Sequence, residues 1–334
     1  MLVLNVSHLS KRFNLEAGFF ARFGRFVNAV NDISFSIGKN ESYGLVGESG
    51  CGKTTTARML VRMYEADSGE ILHYHEDNPQ IVAALKKEEL RQYREKVRYV
   101  FQDPARSLNP RMSVYEVLVS GCRRPLRQRG IGEKELRGKA AAILEEVGLQ
   151  AADLEKRPQE FSGGQRQRIS IARALLMEPE LLICDEVVSA LDVSVQGQIL
   201  NLLLDIRAKR DMSFLFIAHD LKVACYFCDR IGVMYRGELM EEAPAAQLYQ
   251  DALHPYTRLL FSSAAGAAAE APPKKTAMTH NAGIPECTFA PRCPQAAVRC
   301  FCEHPDLNEI KPGHLIRCLN PCIGTRTTFT NRGP

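Results

Sequence analysis

The stretch that decides the fold is "SYGLVGESGCGKTTTARMLVRMY", residues 42–64. It predicts an apolar strand, a glycine-rich turn and a helix whose apolar positions recur at helical spacing. Within it, Gly47–Thr54 fits the pattern G-x-x-x-x-G-K-[ST], which between a strand and a helix marks a phosphate-binding loop, or P-loop. Such a match arises by accident in a chain of 334 residues on the order of once in a hundred. The alternative is a glycine turn that precedes a surface helix.

The residues of this loop match the needs of a nucleotide phosphate. Glycines let the backbone curl so that successive N–H groups and the helix N-terminus point at phosphate oxygens. Lys53 supplies a positive charge for the β and γ phosphates, and the Thr54 hydroxyl binds Mg²⁺. The residues expected to contact the nucleotide here are Gly47, Glu48, Ser49, Gly50, Cys51, Gly52, Lys53, Thr54 and Thr55.

A pair of carboxylates follows a later apolar run, "LLICDE", residues 181–186. Asp185 stands at the tip of a predicted buried strand, and Glu186 comes just beyond it. In P-loop ATPases the strand-end aspartate holds Mg²⁺, and a neighbouring carboxylate orients or deprotonates the attacking water. Taken alone, such a pair is ordinarily a solvated strand end; the P-loop upstream favours the catalytic role.

A second helix start suited to an anion lies in "FSGGQRQRISIARAL", residues 161–175. The turn before a long predicted helix again offers backbone N–H groups and a helix dipole to a phosphate. The residues concerned are Ser162, Gly163, Gly164 and Gln165.

Composition places the chain among ordinary globular proteins, with 45% hydrophobic and 25% charged residues. No window reaches the roughly 18 consecutive apolar residues of a membrane span, and "MLVLNVSHLSKRF" lacks the features of a secretory signal. We therefore expect a cytoplasmic location. A formal charge of +4 is too small to imply nucleic acid, and the arginine run at 122–130 is expected to be a solvated face or a surface near anionic lipid.

The order of the predicted elements indicates an α/β fold, because strands and helices alternate after about residue 180. A helical insertion, a subdomain at about 103–160, interrupts the strands and contains an amphipathic helix that ends at Gly148. An inserted loop is predicted at 16–26 and an Ala-, Pro- and Lys-rich linker at 264–277. The expected domains are 1–250 and a C-terminal extension, residues 251–334, that carries a cysteine group.

Together these motifs resemble the ATP-binding cassette (ABC) ATPases, in which "SGGQ" closes over the γ phosphate bound to the opposite subunit. By that resemblance Gln102 in "VFQDP" contacts Mg²⁺ and water, and His219 in "IAHD" contacts the γ phosphate. Phe13 in "LSKRF" is the aromatic residue on which adenine stacks. Alone, Gln102 and Phe13 would more often be surface or core residues, and His219 a core histidine. The catalytic set implied is Glu186, His219, Gln102 and Lys53.

The segments "VFQDPARSLNPRM", "SALDVSVQ", "HPYTRLL" and "CTFAPRCPQA" are similar to the ATPase subunits of oligopeptide and dipeptide ABC importers. Three positions depart from that family's usual residues. Val187 replaces Pro, Phe161 replaces Leu, and Glu286 replaces Gly. No catalytic group is lost, and only the local geometry around Glu186 is put in question.

The resemblance implies an ATPase that powers peptide import from the cytoplasmic face of the inner membrane, as a peripheral subunit. Its implied partners are a paralogous ATPase stacked head to tail, two transmembrane permease subunits and, indirectly, an extracytoplasmic solute-binding protein, with no nucleic acid. Two alternatives stay open. One is a soluble ABC ATPase acting on ribosomes or nucleic acid, and the other is an iron–sulfur protein regulated by its nucleotide site.

Six of the 11 cysteines fall within residues 286–322. In a reducing compartment a dense cysteine group holds metal more often than it forms disulfides. Cys287, Cys293, Cys300 and Cys318 match the four-cysteine positions of the resembling importers, which implies a [4Fe–4S] cluster. Zinc is the rival, although gaps of five, six and seventeen residues are not those of usual zinc sites, and free thiols are the third alternative.

Overall fold

The computed structural model describes residues 1–14, 26–75, 78–264 and 286–323. The predicted loop at 16–26 lies outside these ranges except for Phe26, and the predicted linker at 264–277 lies outside them except for Ala264. None of the helices in these ranges has the length and apolar character needed to cross a membrane.

Between residues 181 and 235 strands and helices alternate, as the sequence predicted for the chain after about residue 180. The strands are β1 Leu2–Asn14, β2 Phe26–Gly38, β3 Ser42–Val46, β4 Ser68–His75, β5 Asn78–Ile81, β6 Val97–Val100, β7 Leu181–Asp185, β8 Ser213–Ala218, β9 Arg230–Tyr235, β10 Glu238–Pro244, β11 Asn308–Lys311 and β12 His314–Ile316. The helices are α1 Lys53–Leu60, α2 Lys87–Lys96, α3 Pro104–Ser107, α4 Val114–Val119, α5 Arg123–Gln128, α6 Glu133–Glu146, α7 Gly163–Leu175, α8 Val193–Lys209, α9 Leu221–Phe227, α10 Ala245–Gln250 and α11 Pro255–Ala264. Short 3₁₀ turns lie at Val82–Ala84, Ala151–Glu155, Pro158–Glu160, Ala290–Arg292 and Val298–Phe301.

The chain forms two compact units. The first, called the helical unit, comprises the described parts of Met1–Val3, Ile37–Asn40 and Tyr74–Leu215. The second, called the P-loop unit, comprises the described parts of Leu4–Ser36, Glu41–His73 and Phe216–Pro334. The P-loop unit therefore contains both the P-loop and the C-terminal extension.

The P-loop unit is built on a mixed sheet. Strand β3 is buried along its whole length and runs parallel to β9, with Val46 opposite Val233. Such continuous apolar strands are typical of parallel sheets that are covered on both faces. Strand β10 pairs antiparallel with β9, and the hairpin β11–β12 of the extension continues the sheet, with Glu241 of β10 opposite Ile316 of β12. A separate antiparallel pair, β1 and β4, lies in the same unit.

The helical unit takes its core from amphipathic helices. Helix α6 buries Leu136, Ala140, Ile143 and Leu144, which lie on one helical face, and it packs against α4 and α7. Gly148 follows its end with a φ of 75°, a left-handed conformation that glycine adopts without strain and that commonly ends helices. The predicted helix end at Gly148 is confirmed. In the same unit β6 and β7 pair in parallel, with Val100 opposite Cys184.

A buried polar contact attaches the extension hairpin to the sheet. Glu241 is fully buried, and its Oε1 lies 2.7 Å from His314 Nε2, which is itself 1% exposed. The same carboxylate accepts the N–H of Leu253 at 2.6 Å and the N–H of His254 at 3.1 Å. Since a buried carboxylate must be hydrogen-bonded to be tolerated, these three donors make the hairpin and the start of α11 interdependent.

We expect His314→Ala to lower the free energy of unfolding by about 1–3 kcal/mol, because it leaves a buried carboxylate oxygen short of a donor. Lys311→Ala in the same hairpin is the matched control, since Lys311 pairs with Asp251 at 2.5 Å on the surface. That change should cost no more than about 1 kcal/mol. Urea denaturation followed by circular dichroism measures both values, and equal stabilities for the two variants would contradict the assignment.

Candidate functional site

The P-loop connects β3 to α1 and lies close against β2. Gly52, the residue before α1, has a φ of 112°, and a Cβ placed on it would stand 2.2 Å from the carbonyl oxygen of Ala29. Only glycine fits this backbone conformation and this close approach. The glycine of the motif is thus explained by the packing of the loop as well as by its curvature.

The predicted lysine lies inside the curve of the loop. Lys53 is 4% exposed, and its Nζ donates to the carbonyl oxygens of Gly47 at 2.7 Å and Glu48 at 3.0 Å. Thr54 and Thr55 follow it in the first turn of α1. The ammonium and the start of the helix are therefore both available to an anion at the loop.

Cys51 is a packing residue of the loop. Its side chain is buried, its Sγ lies 3.7 Å from Lys53 Nζ, and burial raises the pKa of the thiol. Its carbonyl oxygen accepts the N–H of Gly237 at 2.8 Å, in the turn between β9 and β10. The loop is thus supported from the neighbouring hairpin of its own unit.

The two remaining predicted residues of the P-loop unit occupy its surface. The ring of Phe13 is half-buried and meets Tyr64 edge-on, with 5.3 Å between ring centroids. His219 follows β8 and is exposed, and the next residue, Asp220, caps α9 by accepting the N–H of Lys222 at 2.8 Å. The exposure of His219 excludes the alternative of a core histidine. Adenine stacking on Phe13 remains a prediction.

In the helical unit the two carboxylates differ in environment. Asp185 ends β7, is 2% exposed and accepts a hydrogen bond from the Tyr99 hydroxyl at 2.5 Å. Glu186 is only partly buried, and its Oε2 accepts the side-chain N–H of Gln102 at 2.7 Å. The structure therefore brings together two residues, Gln102 and Glu186, that lie 84 positions apart in the sequence.

The backbone at Glu186 is strained. Its φ of 49° is uncommon for a residue other than glycine, and such outliers cluster at functional sites. Ser189 maintains the conformation, since its N–H and its hydroxyl donate to the Glu186 carbonyl oxygen at 3.1 and 2.8 Å. Val187, at the position where the importers usually carry Pro, is buried. The turn that presents the Glu186 carboxylate therefore forms without a proline.

The "SGGQ" segment forms the start of α7 through a capping box. The Ser162 N–H donates to Gln165 Oε1 at 2.9 Å, and the Gln165 N–H donates to Ser162 Oγ at 3.3 Å. A Cβ on Gly164 would lie 2.6 Å from Val195 on α8, so glycine lets the two helices approach. Ser162 and Gln165 are both exposed, as a binding surface requires.

Known protein families and relatives match this chain over most of its length. Residues 30–189 match the family model "ABC transporter", and residues 240–300 match "Oligopeptide/dipeptide transporter, C-terminal region". The oligopeptide transport ATP-binding protein OppF of Bacillus subtilis is 39% identical over 95% of this chain and 96% of its own length. A putative peptide import ATP-binding protein of Brucella ovis is 42% identical over 88% of this chain and 92% of its own length. The chain belongs to the ABC transporter ATP-binding family.

Solved ABC cassettes share its fold. The chain matches cbiO1 of Clostridium perfringens with a TM-score of 0.62 and 25% identity, over 74% of this chain and 90% of that one. It matches the cassette MJ0796 bound to ADP and Pi with a TM-score of 0.62 and 25% identity, over 72% of this chain and 98% of that one. The predicted α/β P-loop fold is confirmed, and the chain is an ABC-type ATPase.

Six of the 11 cysteines of this ABC ATPase lie in the extension. The Cys287 N–H donates to the Cys300 carbonyl oxygen at 3.0 Å. Burial, followed by the nearby Cys293, Cys287 and Cys300 thiols, raises the pKa of Cys318 to about 12. Of the other two cysteines there, Cys302 is exposed. Across the described ranges no group of three or more His, Cys, Asp or Glu side chains is arranged to hold a metal ion, and the metal site stays a prediction.

Sequence reasoning missed the residues with which the extension of the ABC ATPase contacts the P-loop. Arg292 donates from both terminal nitrogens to the Glu48 carboxylate, each at 2.8 Å, and the Tyr256 hydroxyl accepts the Glu48 N–H at 3.0 Å. Tyr256 and Arg292 lie more than 200 positions from Glu48 in the sequence, and no local sequence pattern predicts contacts over such a separation. The one available signal was that "HPYTRLL" and "CTFAPRCPQA", which contain Tyr256 and Arg292, are similar to segments of the importer subunits.

Proposed function

We propose that this ATPase powers the import of peptides through a membrane permease. The catalytic part of this proposal rests on Glu186. This residue has a strained backbone, follows the buried Asp185 and accepts a hydrogen bond from Gln102. A carboxylate at this position accepts a proton from the water that attacks the γ phosphorus. Peptide as the solute rests on the relatives, whose names describe oligopeptide transport and peptide import.

The remaining roles follow from the donors that each residue offers. The N–H groups of the P-loop and the ammonium of Lys53 bind the phosphates, Phe13 stacks on adenine, and His219 contacts the γ phosphate. Oxygen donors suit Mg²⁺, and this chain offers the hydroxyl of Thr54, the carboxylate of Asp185 and the amide of Gln102. Bound there, Mg²⁺ would neutralise charge on the β and γ phosphates.

The proposed partners follow from the exposed "SGGQ" segment, Ser162–Gln165. We propose that this segment contacts ATP bound to a paralogous ATPase stacked head to tail, while two transmembrane permease subunits receive the energy of hydrolysis. A solute-binding protein outside the membrane delivers the peptide, and this chain stays peripheral on the cytoplasmic face. The matches to transport proteins over most of the chain weigh against the alternatives of a ribosome- or nucleic-acid-associated ATPase and an iron–sulfur regulator.

Glu186→Gln should reduce ATP hydrolysis by about 10² to 10⁴, the usual loss when a general base is removed. Glutamine is a sharp test because its amide oxygen still accepts the hydrogen bond from Gln102, so the turn is preserved. Turnover is measured on the complex isolated from membranes through a tag on this chain. Glu135→Gln, an exposed carboxylate on α6, is the control and should retain wild-type turnover. Turnover of Glu186→Gln within about twofold of wild type would remove Glu186 from the mechanism.

We propose further that Cys287, Cys293, Cys300 and Cys318 hold a [4Fe–4S] cluster with a structural role. Four thiolates are the ligands that such a cluster requires, and the extension supplies these four thiols within residues 287–318.

Protein purified without oxygen should be brown and should contain about four irons and four sulfides per chain. Cys293→Ser should bleach this colour, because it removes one ligand, and the P-loop should still be able to bind Mg·ATP. Cys302→Ser, which changes an exposed cysteine outside the set, should keep the colour and the iron. A colourless anaerobic preparation with one zinc per chain would overturn the proposal and leave the ATPase function intact.

A further inference from the structure

The ion pair between Arg292 and Glu48 joins the extension to the second residue of the P-loop. Both terminal nitrogens of Arg292 lie 2.8 Å from the two carboxylate oxygens of Glu48, across 244 positions of sequence. A bidentate pair of this kind fixes the orientation of both planar groups as well as their distance. Arg292 is the dominant cause that lowers the pKa of Glu48, which keeps that carboxyl ionised.

Arg292 is itself held in place by aromatic rings. Its guanidinium lies 5.6 Å from the ring centroid of Tyr235 and 5.9 Å from that of Phe289. Phe289 is 1% exposed and packs edge-on against Tyr235, with 5.3 Å between centroids. These ring contacts restrict the positions open to the guanidinium and favour the orientation in which it pairs with Glu48.

The same part of the P-loop has a second contact with the extension. The peptide group between Gly47 and Glu48 donates its N–H to the Tyr256 hydroxyl at 3.0 Å, and its carbonyl oxygen accepts from Lys53 at 2.7 Å. The next carbonyl, that of Glu48, also accepts from Lys53, at 3.0 Å. Tyr256 thus binds one of the two peptide groups that hold the phosphate-binding lysine, and Arg292 binds the side chain of Glu48, which lies between them.

The extension also contacts, through Glu238, residues that support the P-loop. The Thr288 hydroxyl of the extension donates to Glu238 at 3.0 Å, and this carboxylate also accepts from the side chain of Asn31 on β2 at 2.8 Å. Glu238 follows Gly237, whose N–H supports the P-loop at Cys51. The extension therefore contacts the residues that support the loop on two sides.

We infer that Arg292 is a positioning residue of the nucleotide site, through which the extension holds the P-loop in its phosphate-binding shape. The inference rests on the proposed binding of ATP by this loop. Arg292 acts through Glu48, whose position sets the carbonyls that orient Lys53. The cysteine-bearing extension is by this account part of the nucleotide-binding machinery.

The test is the affinity of the purified full chain for Mg·ADP, measured by isothermal titration. Arg292→Gln should weaken binding by about two- to fivefold, the range expected for a partly exposed ion pair. Arg292→Lys should recover part of this loss, because it keeps the charge but not the bidentate geometry. Arg299→Gln is the matched control: Arg299 lies in the same extension and donates to the Leu319 carbonyl oxygen, away from the P-loop. It should bind as wild type does.

A double variant separates coupling from general damage. Glu48→Gln combined with Arg292→Gln should bind no more weakly than the weaker single variant, because both changes break one interaction. The inference would be overturned if the two single losses of affinity for Mg·ADP added up in the double variant. It would also be overturned if Arg292→Gln bound Mg·ADP as wild type does, or if Arg299→Gln lost as much affinity as Arg292→Gln. A wild-type chain that binds no Mg·ADP would remove the proposed function and the inference with it, whereas wild-type binding with unaffected variants would remove the inference alone.

Discussion

The burial of the Lys53 ammonium is the constraint on which the nucleotide-binding loop depends. An ammonium that is 4% exposed must be compensated, and the compensation comes from the carbonyl oxygens of Gly47 and Glu48. These carbonyls can point inward only if the backbone curls tightly. The curled loop lies against β2, and at position 52 there is no room for a side chain, so glycine is needed there. The sequence motif, the curled backbone of the loop and the burial of the Lys53 charge therefore depend on one another.

Residues of the extension support the same loop through a second set of contacts. The rings of Tyr256 and Phe289 pack at a tilt, with centroids 5.3 Å apart, and the centroid of His254 lies 5.7 Å from that of Phe289. Burial lowers the pKa of His254 to about 4, so the ring is neutral at physiological pH and its Nδ1 accepts the Tyr256 N–H at 2.9 Å. The Tyr256 hydroxyl is thereby aimed at Glu48. The "HPYT" motif thus has a physical role, which is to position the hydroxyl that binds the P-loop backbone.

Sequence patterns predicted the parts of the site that are local in the chain. The P-loop, the carboxylates after β7 and the capped start of α7 each occupy one short segment, where spacing alone specifies the backbone. Gln102 and Glu186 were each predicted as site residues, but the hydrogen bond between them was not predicted from the sequence. The left-handed backbone of Glu186 had no sequence signal, because it depends on the hydrogen bonds of Ser189.

The extension was the least predictable part, for a physical reason. Strand β11 is "NEIK" and is exposed at all of its positions, so it lacks the alternation that identifies a strand. Its place in the sheet depends on the pairing of β12 with β10 and on the buried contact of His314 with Glu241. The ion pair of Arg292 with Glu48 is equally long-range. Such contacts are properties of the folded chain and leave no local pattern.

Hydrogen–deuterium exchange on the full chain, with and without Mg·ADP, tests most directly the claim that the P-loop and the extension act together. The account predicts that the nucleotide slows exchange in peptides that cover residues 47–54 and, in the same titration, in peptides that cover 288–292. Protection of the P-loop with unchanged exchange at 288–292 would contradict it.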